Sequence, residues 1–580
     1  METEEIKDIP YGVSRFEQVA QENLYYVDKT SYLPQLEEAD NCLFLVRPRR
    51  FGKSLLLSMM RAYYDTAYAP RFDTLFNGLW VKDHPTPLKN AFQVLSLDYS
   101  RVTVFIGGSL KENFEMYCNS MVYDFVKRYA DFYSKELVQA VSDCEDSITQ
   151  LNLIHAEAQA KGYQLYLMVD EHDNFVTTLL GGGRDNLHEK LDEAAAFYPE
   201  YFKTFQKVFQ RMIFVGVSPV AMEELSCRYM VEHNISRSGQ FDRMLGYTEE
   251  EVRKMLNYYQ TAGQLEGDVE EMLRDLKRWY GNYHFSTEDT DGDGLLKCFN
   301  CAGVLFYIKH LMMNGSLPGD MADKNVRTDL GKMERLGVVQ TGEAPRTTGR
   351  MDVVEQIATQ GSLDMNLKAA FLASEVDNQE NFNSLFYYYG LLTTGGDGQI
   401  VIPNLCAKVQ YWDYLRMHYY RRASSLNPDD LYDAIYEMEV KGDWKPVVEM
   451  LVKAYRENVA QRDFMAGEKH LLTFFRANLT VSNIFYMEPK TGVPCEPSDL
   501  LLLTNPKRSR KALRSFILEL KCAAPKATEA EVEAMEKEAE ARLNQLSQDE
   551  AVKSLADGSQ VYRLVVVLKG TEIAVMKELG

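Results

Sequence analysis

The sequence predicts an α/β fold whose N-terminal part contains a doubly wound parallel sheet with helices on both faces. Short apolar runs at 41–46, 92–100, 165–170 and 211–220 indicate strands, and helical patterns separate them. The runs are nearly unbroken, which is typical of strands buried on both faces of a parallel sheet. A second group of strands and helices, at 465–580, predicts a separate α/β part at the C-terminal end.

The composition is that of an ordinary globular protein. The chain has 580 residues, of which 46% are hydrophobic and 26% charged, and this length suggests about three or four domains. No apolar run approaches the roughly 18 residues that span a bilayer. The acidic start METEEIKDIP lacks the apolar core of a signal peptide, and the nine cysteines form no framework. We therefore expect a cytoplasmic protein without a membrane partner.

The stretch RPRRFGKSLLLSMM (47–60) predicts a phosphate-binding loop. Its Gly-Lys-Ser ends the motif G-x-x-x-x-G-K-[ST], although Arg47 occupies the position of the first glycine. A strand is predicted before the loop and a helix after it, and free amides at a helix start attract phosphate. We expect this loop to bind ATP and Mg²⁺, with Lys53 at the outer phosphates and Ser54 as a metal ligand. The other positions predicted to contact the nucleotide are Arg50, Phe51, Gly52 and Leu55.

A second apolar strand leads into the acidic sequence VDEHD. Residues 165–169 are followed at once by Asp170 and Glu171. In this Walker B arrangement the first carboxylate holds Mg²⁺ through water, and the second orients the attacking water. The alternative is a strand that simply ends in an acidic turn. The next strand ends near Ser218, which could sense the outer phosphate, and an earlier strand ends near Asp98.

In their order along the chain, the segments 9–36, 47–60, 167–173 and 213–219 resemble the bacterial AAA-ATPase-like family. In that family the loop typically reads RPRRFGKS or RPRRFGKT, which makes Arg47 a family feature. The resemblance implies that YYVDKT (25–30) belongs to the nucleotide-binding module. It also implies which residues carry the nucleotide chemistry: Lys53, Ser54, Asp170 and Glu171. His172 stands where the family usually has an aromatic residue, and we interpret it as a substitution beside the site.

The C-terminal part carries a second constellation of charged residues. Asp499 opens the strand predicted at 498–504, and Glu519 lies near the end of the strand predicted at 513–521. If these strands form a hairpin, its turn falls in the polar stretch 505–511, and the two acids are neighbours across the ladder. Lys521 points to the same face as Glu519. Two carboxylates and a lysine could hold Mg²⁺, activate water and stabilise the transition state of phosphodiester cleavage.

This pattern resembles the PD-(D/E)XK nuclease superfamily, which has a restriction-endonuclease-like fold and typically follows the ATPase-like module. The resemblance implies that Asp499 and Glu519 are the metal acids and Lys521 the catalytic lysine. It adds Glu468 as a helix-borne acid at the metal and Gln545 as a helix glutamine. The Gly-Arg that usually precedes the aspartate is replaced by VPCEPSD. The implied partner is nucleic acid, with DNA preferred over RNA.

The charge distribution leaves two interpretations open. A net charge of −21 argues against a chain coated for general nucleic-acid binding, because contacts to phosphate need cations. Residues 488–526, however, contain eight lysines and arginines against four acids. This local excess indicates either a loop that follows a nucleic-acid backbone beside the metal site or a solvated turn.

We divide the chain into a P-loop domain (1–285), a mainly helical connecting region (286–430) and a nuclease-like domain (431–580). The stretch DTDGDG (289–294) lacks the glutamate of a calcium loop at position 12, so we interpret it as a solvated loop. Cys298 and Cys301 have no second pair at zinc spacing, and we interpret them as two thiols. The aromatic-rich segments 279–285 and 386–394 are interpreted as core.

These features predict an ATPase coupled to a Mg²⁺-dependent nuclease, with the nucleotide state controlling cleavage. One alternative is a nucleotide-dependent switch or scaffold whose nuclease-like domain is inactive and binds nucleic acid or protein. The other is a plain ATPase that acts on protein partners. An arginine finger supplied in trans would require an oligomer, and the candidates for it are Arg228, Arg237 and Arg243.

Overall fold

The computed structural model of the chain describes most of its length. The described residues are 6–102, 109–174, 178, 187–221, 224–286, 297–318, 320–322, 327, 348–376, 378–395, 399–420, 426–460, 468–479, 485–486, 499–504, 514–556 and 559–580. The DTDGDG stretch and the polar stretch 505–511 lie outside these residues.

The chain forms two compact units. The first consists of Met1–Ser316, Ala322–Arg350 and Ser362–Ala407, and the second of Leu317–Met321, Met351–Gly361 and Lys408–Gly580. The predicted connecting region, 286–430, is therefore divided between the two units and does not form a unit of its own.

The first unit contains the predicted parallel sheet. Its strands are β1 (Cys42–Val46), β2 (Phe92–Asp98), β3 (Gln164–Asp170) and β4 (Arg211–Gly216). In the described part they are ordered β1-β4-β3-β2, and every pairing is parallel. The strand predicted at 211–220 ends early, at Gly216, and a separate short strand β5 follows at Val220–Ala221.

Helices connect these strands and continue beyond them. Up to residue 280 they are α1 (Phe16–Gln21), α2 (Leu33–Glu38), α3 (Lys53–Tyr64), α4 (Phe72–Leu75), α5 (Trp80–Asp83), α6 (Leu110–Arg128), α7 (Lys135–Asp143), α8 (Ser147–Lys161), α9 (Leu187–Val208), α10 (Glu224–Glu232), α11 (Glu249–Thr261) and α12 (Val269–Tyr280). A short strand β6 (Tyr247–Thr248) precedes α11 and pairs with β7 (Cys298–Phe299).

Aromatic contacts show that helices cover both faces of the parallel sheet. Tyr166 of β3 contacts Tyr64 of α3, with 5.5 Å between ring centroids. Phe214 of β4 contacts Phe202 of α9 at 5.7 Å. Phe214 is paired in register with Val169 of β3, so these two side chains point to the same face of the sheet. Val169 and Tyr166 are three positions apart on β3 and therefore point to opposite faces. The two aromatic contacts thus lie on opposite faces of the sheet. This confirms the predicted layering.

The middle of the chain is mainly helical with short strands. It contains α13 (Cys301–Asn314), α14 (Thr348–Gln360), β8 (Ser362–Leu363), β9 (Phe371–Leu372), α15 (Gln379–Tyr388), β10 (Thr393–Thr394), β11 (Ile400–Val401), α16 (Leu405–Tyr420), α17 (Pro428–Lys441) and α18 (Lys445–Ala460). Most residues of the aromatic-rich segments are buried, in agreement with their interpretation as core: 280, 283–285, 386–389 and 391–394.

The second unit contains a mixed sheet. After α19 (Glu468–Leu479) come β12 (Phe485–Tyr486), β13 (Asp499–Thr504), β14 (Arg514–Ala523), α20 (Glu529–Gln548), α21 (Glu550–Leu555), β15 (Gln560–Lys569) and β16 (Glu572–Leu579). The sheet follows the order β12-β13-β14-β15-β16, in which only the described β14–β15 pairing is parallel. An apolar stripe on α20 packs on this sheet: Ala539, Leu543 and Leu546 are buried against it. This is an α/β unit, and the restriction-endonuclease-like fold stays a prediction for it.

None of the helices described in this chain combines the length and the apolar composition that a bilayer-spanning segment needs.

Candidate functional site

The predicted phosphate loop lies between the end of β1 and the start of α3. Gly52 has φ 94°, a left-handed conformation that favours glycine, and it is the residue just before the helix. Arg50 also has a positive φ, of 68°. Two left-handed residues within three positions turn the chain sharply from the strand into the helix. The Gly-Lys-Ser tripeptide thus stands at the C-terminal edge of the parallel sheet, where such folds bind ligands.

The carbonyl groups of the loop are held by segments that are distant in the sequence. The carbonyls of residues 49–51 accept hydrogen bonds from Asn300 Nδ2 at 3.1 Å, the Ala302 amide at 3.3 Å and the Gly246 amide at 3.1 Å. Gly246 has φ 87°, and a Cβ there would lie 3.1 Å from Cys298 Sγ and 3.2 Å from Phe51. The loop is therefore fixed from the side of its carbonyls.

The amides of the loop are left open by this arrangement. Within the described part of the chain, no hydrogen bond uses the backbone amides of residues 52–55. They belong to the loop end and the first turn of α3, where helix amides have no partner inside the helix. Residues 49–56 line a cavity of about 570 Å³. Open amides and a helix dipole beside a cavity form an environment that favours an anion.

The remaining walls of the cavity come from the first unit as well. They include segments 10–14 and 244–247, together with Tyr25, Tyr26 and Lys29 of the predicted YYVDKT segment. The Lys29 ammonium donates to both carboxylate oxygens of Glu251, at 2.6 and 2.8 Å. This ion pair links the YYVDKT segment to α11, the helix that follows the wall segment 244–247. The structure thus brings YYVDKT next to the phosphate loop.

Arg47, at the position of the missing first glycine, is a structural residue. It is 1% exposed and donates to the carbonyls of Val46 and Ser236. Its guanidinium also lies 4.0 Å from an Asp242 oxygen and 4.4 Å from the centroid of Phe285. The side chain therefore points into the protein behind the loop, so it adds no charge inside the cavity.

Lys53 is buried and turned toward its own loop. Its ammonium donates to the carbonyls of Arg47 and Pro48, both at 3.0 Å. Burial lowers the pKa of Lys53, and the nearby charges of Glu171 and Asp170 oppose that change. A phosphate group in the cavity would supply further negative charge to this desolvated cation.

Asp170 and Glu171 face the loop from the end of β3. Ser54 interacts with Asp170 and favours its charged form, so the two predicted Mg²⁺ ligands are neighbours. Burial raises the pKa of both acids, against the effect of the Lys53 charge. Glu171 has φ 51°, an uncommon backbone conformation for this residue type. Asp98 stands next to Asp170 across the parallel ladder.

Ser218 has a partner that the sequence did not suggest. Its amide and hydroxyl both donate to Asp173 Oδ2 at 2.8 Å, and the Val217 amide donates to Oδ1 at 2.9 Å. Asp173 thereby joins the turn after β3 to the segment after β4. The role of Ser218 as a phosphate sensor stays a prediction. Sequence reasoning missed Asp173, although its place in VDEHD is a usable signal.

The arginine-finger candidates lie in different environments. Arg228 is exposed and lies 3.9 Å from Glu232. Arg237 is half-buried, and its charge acts on the buried phenols of Tyr387 and Tyr388. The carbonyl of Arg243 accepts a hydrogen bond from Lys29, a residue of the cavity wall. Their catalytic role stays a prediction.

The second unit brings several of its predicted residues together. Asp499 and Glu519 are partners in the β13–β14 register, as the position of the polar turn predicts. The Lys521 ammonium lies 3.7 Å from Glu519, 3.7 Å from Glu468 and 3.0 Å from Glu538. Burial lowers the pKa of Lys521, but the hydrogen bond to Glu538 and the other two acids outweigh it and raise the pKa.

Two further predictions in this unit concern Gln545 and the metal ligands. Gln545 is exposed and accepts a hydrogen bond from Arg542, and its role stays a prediction. On the same helix, Glu538 contacts Lys521. Among the described residues, no three His, Cys, Asp or Glu side chains are grouped to hold a metal ion. The side chain of Asp499 is outside the described part, so the metal set of Glu468, Asp499 and Glu519 stays a prediction.

Restoring the usual glycine at position 47 is expected to harm the protein. Arg47→Gly leaves buried carbonyls and Asp242 without their cation, and removing one partner of a buried charged network costs about 3–5 kcal/mol. Urea unfolding measures the loss. The control is Arg50→Gly, at an exposed residue whose φ of 68° suits glycine, and we expect it to cost less than about 1 kcal/mol. Equal stability of Arg47→Gly and wild type would contradict the structural role of Arg47.

His172 is expected to make stability sensitive to acid. It is buried, its Nε2 has no hydrogen-bond partner in the part of the chain that the structure describes, and burial lowers its pKa below the ordinary 6.5. A group with a lowered folded-state pKa favours the neutral ring, so its contribution is present above about pH 6.5 and is lost as the pH falls. His172→Phe should therefore lose less unfolding free energy than wild type between about pH 7.5 and about pH 5.5. Parallel pH profiles for the two proteins would contradict this.

Comparisons with known proteins agree with the geometry of the first unit. Residues 10–226 match the AAA-ATPase-like family, which is described as "Predicted AAA-ATPase". A curated relative, the "Uncharacterized protein in vnfD 5'region" of Azotobacter chroococcum mcd 1, is 25% identical over 291 residues. The match covers 49% of this chain and 49% of the relative, so the chain spans about half of that protein's length. The N-terminal region, with its phosphate loop, Asp170 and Glu171, is thus similar to predicted AAA-ATPases.

Proposed function

We propose that the first unit binds MgATP at the loop between β1 and α3 and hydrolyses it. The observation that carries this proposal is the set of open amides at residues 52–55, which stand beside a cavity and the buried Lys53. The similarity of residues 10–226 to predicted AAA-ATPases supports the same conclusion.

The residues present fit a magnesium ion, because Ser54 and Asp170 interact with each other and both offer oxygen ligands. When bound, the ion would neutralise charge on the phosphates. Ser54 would hold it directly and Asp170 through water. Lys53 would contact the outer phosphates, while the loop amides fix the phosphate chain.

Glu171 would orient the attacking water. Its raised pKa, caused by burial, makes it a better proton acceptor than an exposed glutamate, provided that Lys53 keeps it ionised. Its left-handed backbone aims the side chain from the turn after β3, and the Asp173 hydrogen bonds hold that turn. In this proposal Asp170 serves metal binding and Glu171 serves water activation.

Two substitutions separate binding from hydrolysis. Lys53→Ala should weaken MgATP binding at least about tenfold, because it removes the buried cation at the phosphates. Glu171→Gln should keep binding and lower the hydrolysis rate by about 10²–10⁴. Titration calorimetry with a non-hydrolysable ATP analogue and a phosphate-release assay measure the two effects.

The controls are Lys254→Ala and Glu250→Gln, which remove an exposed ion pair on α11. Both should bind and hydrolyse ATP as the wild type does. If Lys53→Ala binds the analogue as tightly as these controls do, the proposed phosphate site is wrong. If Glu171→Gln hydrolyses ATP at the wild-type rate, another group must activate the water.

We propose metal-dependent phosphodiester cleavage as a second candidate function, located in the second unit. It is favoured by the register that pairs Asp499 with Glu519 and by the contacts of Lys521 with Glu519 and Glu468. Glu468, Asp499 and Glu519 would hold Mg²⁺, and Lys521 would stabilise the negative charge on the attacked phosphate in the transition state. Nucleic acid, DNA in preference to RNA, is the proposed substrate.

Mg²⁺-dependent cleavage of plasmid DNA and of single-stranded DNA and RNA tests this second function. Glu519→Gln should abolish cleavage, while Glu572→Gln, at an exposed ion pair with Arg456, should not change it. If ATP controls the nuclease, cleavage should also respond to ATP and to Lys53→Ala. Equal cleavage by wild type and Glu519→Gln would instead favour the alternative, a switch or scaffold with an inactive nuclease-like domain.

A further inference from the structure

We propose that Asn300 is a positioning residue of the phosphate loop, an inference that rests on the proposed nucleotide site. Asn300 is 4% exposed and lies outside residues 10–226, which match the ATPase-like family. It is separated from its loop partner Arg49 by 251 residues in the sequence. No local pattern marks it, since an asparagine before a helix is usually explained as a cap.

The side chain of Asn300 makes two different hydrogen bonds. Its Oδ1 accepts from the Gly303 amide at 3.1 Å, which caps the start of α13. Its Nδ2 donates to the Arg49 carbonyl at 3.1 Å. Turning the amide group over would set Nδ2 against an N–H and Oδ1 against a carbonyl, so the two partners fix one orientation. The backbone amide of Asn300 donates to the Tyr280 carbonyl at 2.9 Å, which anchors the residue itself.

The Arg49 carbonyl matters because it sets the orientation of the peptide that enters the loop. Asn300 holds this carbonyl on the side of the loop that faces away from the cavity. The next residue, Arg50, has a left-handed backbone, and the carbonyls of residues 50–51 are hydrogen-bonded on the same side. This alignment leaves the following amides to face the cavity. Without the donor, the peptide could turn its carbonyl dipole toward the phosphates, where it would repel them. Arg49 also affects the site through its side chain, because its positive charge lowers the pKa of both Lys53 and Glu171.

The two hydrogen bonds of Asn300 have different chemical requirements. Serine or aspartate caps a helix about as well as asparagine does, because each supplies an acceptor oxygen. Neither can donate to a carbonyl in the way that Nδ2 does: aspartate lacks a donor, and the serine hydroxyl is shorter by one atom. Asn300→Ser therefore keeps the cap and removes the contact with the loop. This allows a test that distinguishes positioning from fold stability.

The test uses the full chain and the variants Asn300→Ser and Asn300→Ala. Titration calorimetry measures the affinity for MgADP and for inorganic tripolyphosphate, which binds only through its phosphates, and for adenosine. Urea unfolding measures stability. We expect Asn300→Ser to bind MgADP and tripolyphosphate about tenfold more weakly, the value of roughly one hydrogen bond, with adenosine affinity unchanged and a smaller loss of stability than in Asn300→Ala. Asn300→Ala should show the same loss of affinity and unfold more readily.

Asn378 provides a matched control because it caps α15 through the Glu380 amide at 2.9 Å. Asn378→Ala should lose stability and keep the wild-type affinity for MgADP. Wild-type affinity for MgADP in Asn300→Ser would overturn the inference, and so would equal losses for adenosine and MgADP. If the wild-type protein binds neither MgADP nor tripolyphosphate, the proposed nucleotide site itself fails, and the inference fails with it.

Discussion

The functional geometry of the first unit depends on how the backbone of one loop is hydrogen-bonded. Residues 49–51 direct their carbonyls outward to Asn300, Ala302 and Gly246, and the amides of residues 52–55, beside the cavity, bind no group in the described ranges. A buried backbone group needs a partner, so a loop with satisfied carbonyls and open amides is stable only if an anion or water completes it. The sheet, the helix α3 and the distant segments all serve to hold this one orientation.

Buried charge surrounds the loop on both sides and has two distinct roles. Arg47 lies behind the loop, where carbonyls, Asp242 and an aromatic ring satisfy it, and it stabilises the fold. Lys53 lines the cavity, where burial lowers its pKa and two loop carbonyls and the nearby acids support its charge. A buried cation beside a cavity favours binding of an anion there, whereas one enclosed by protein groups does not contribute to it. The difference explains why an arginine at the glycine position is compatible with phosphate binding.

The second unit combines acids and a lysine without completing a described metal site. Among the described residues, Lys521 contacts three carboxylates. Such a cluster is compatible with a metal-dependent nuclease and also with a polar core that only stabilises the sheet against α20. The β13–β14 register pairs Asp499 with Glu519, and the proposed nuclease activity would use both residues.

The sequence by itself determined the strands of both sheets, the position of the phosphate loop, the acids after β3 and the pairing of Asp499 with Glu519. These follow from local periodicity and from the position of a polar turn, which depend on neighbouring residues only. The tertiary structure decided the rest. The buried role of Arg47, the Asp173 partner of Ser218, the contact of Glu538 with Lys521 and the bond from Asn300 to Arg49 all join segments distant in the chain. Such hydrogen bonds and ion pairs carry no periodic signal, because either partner would look the same in a solvated turn or a helix cap.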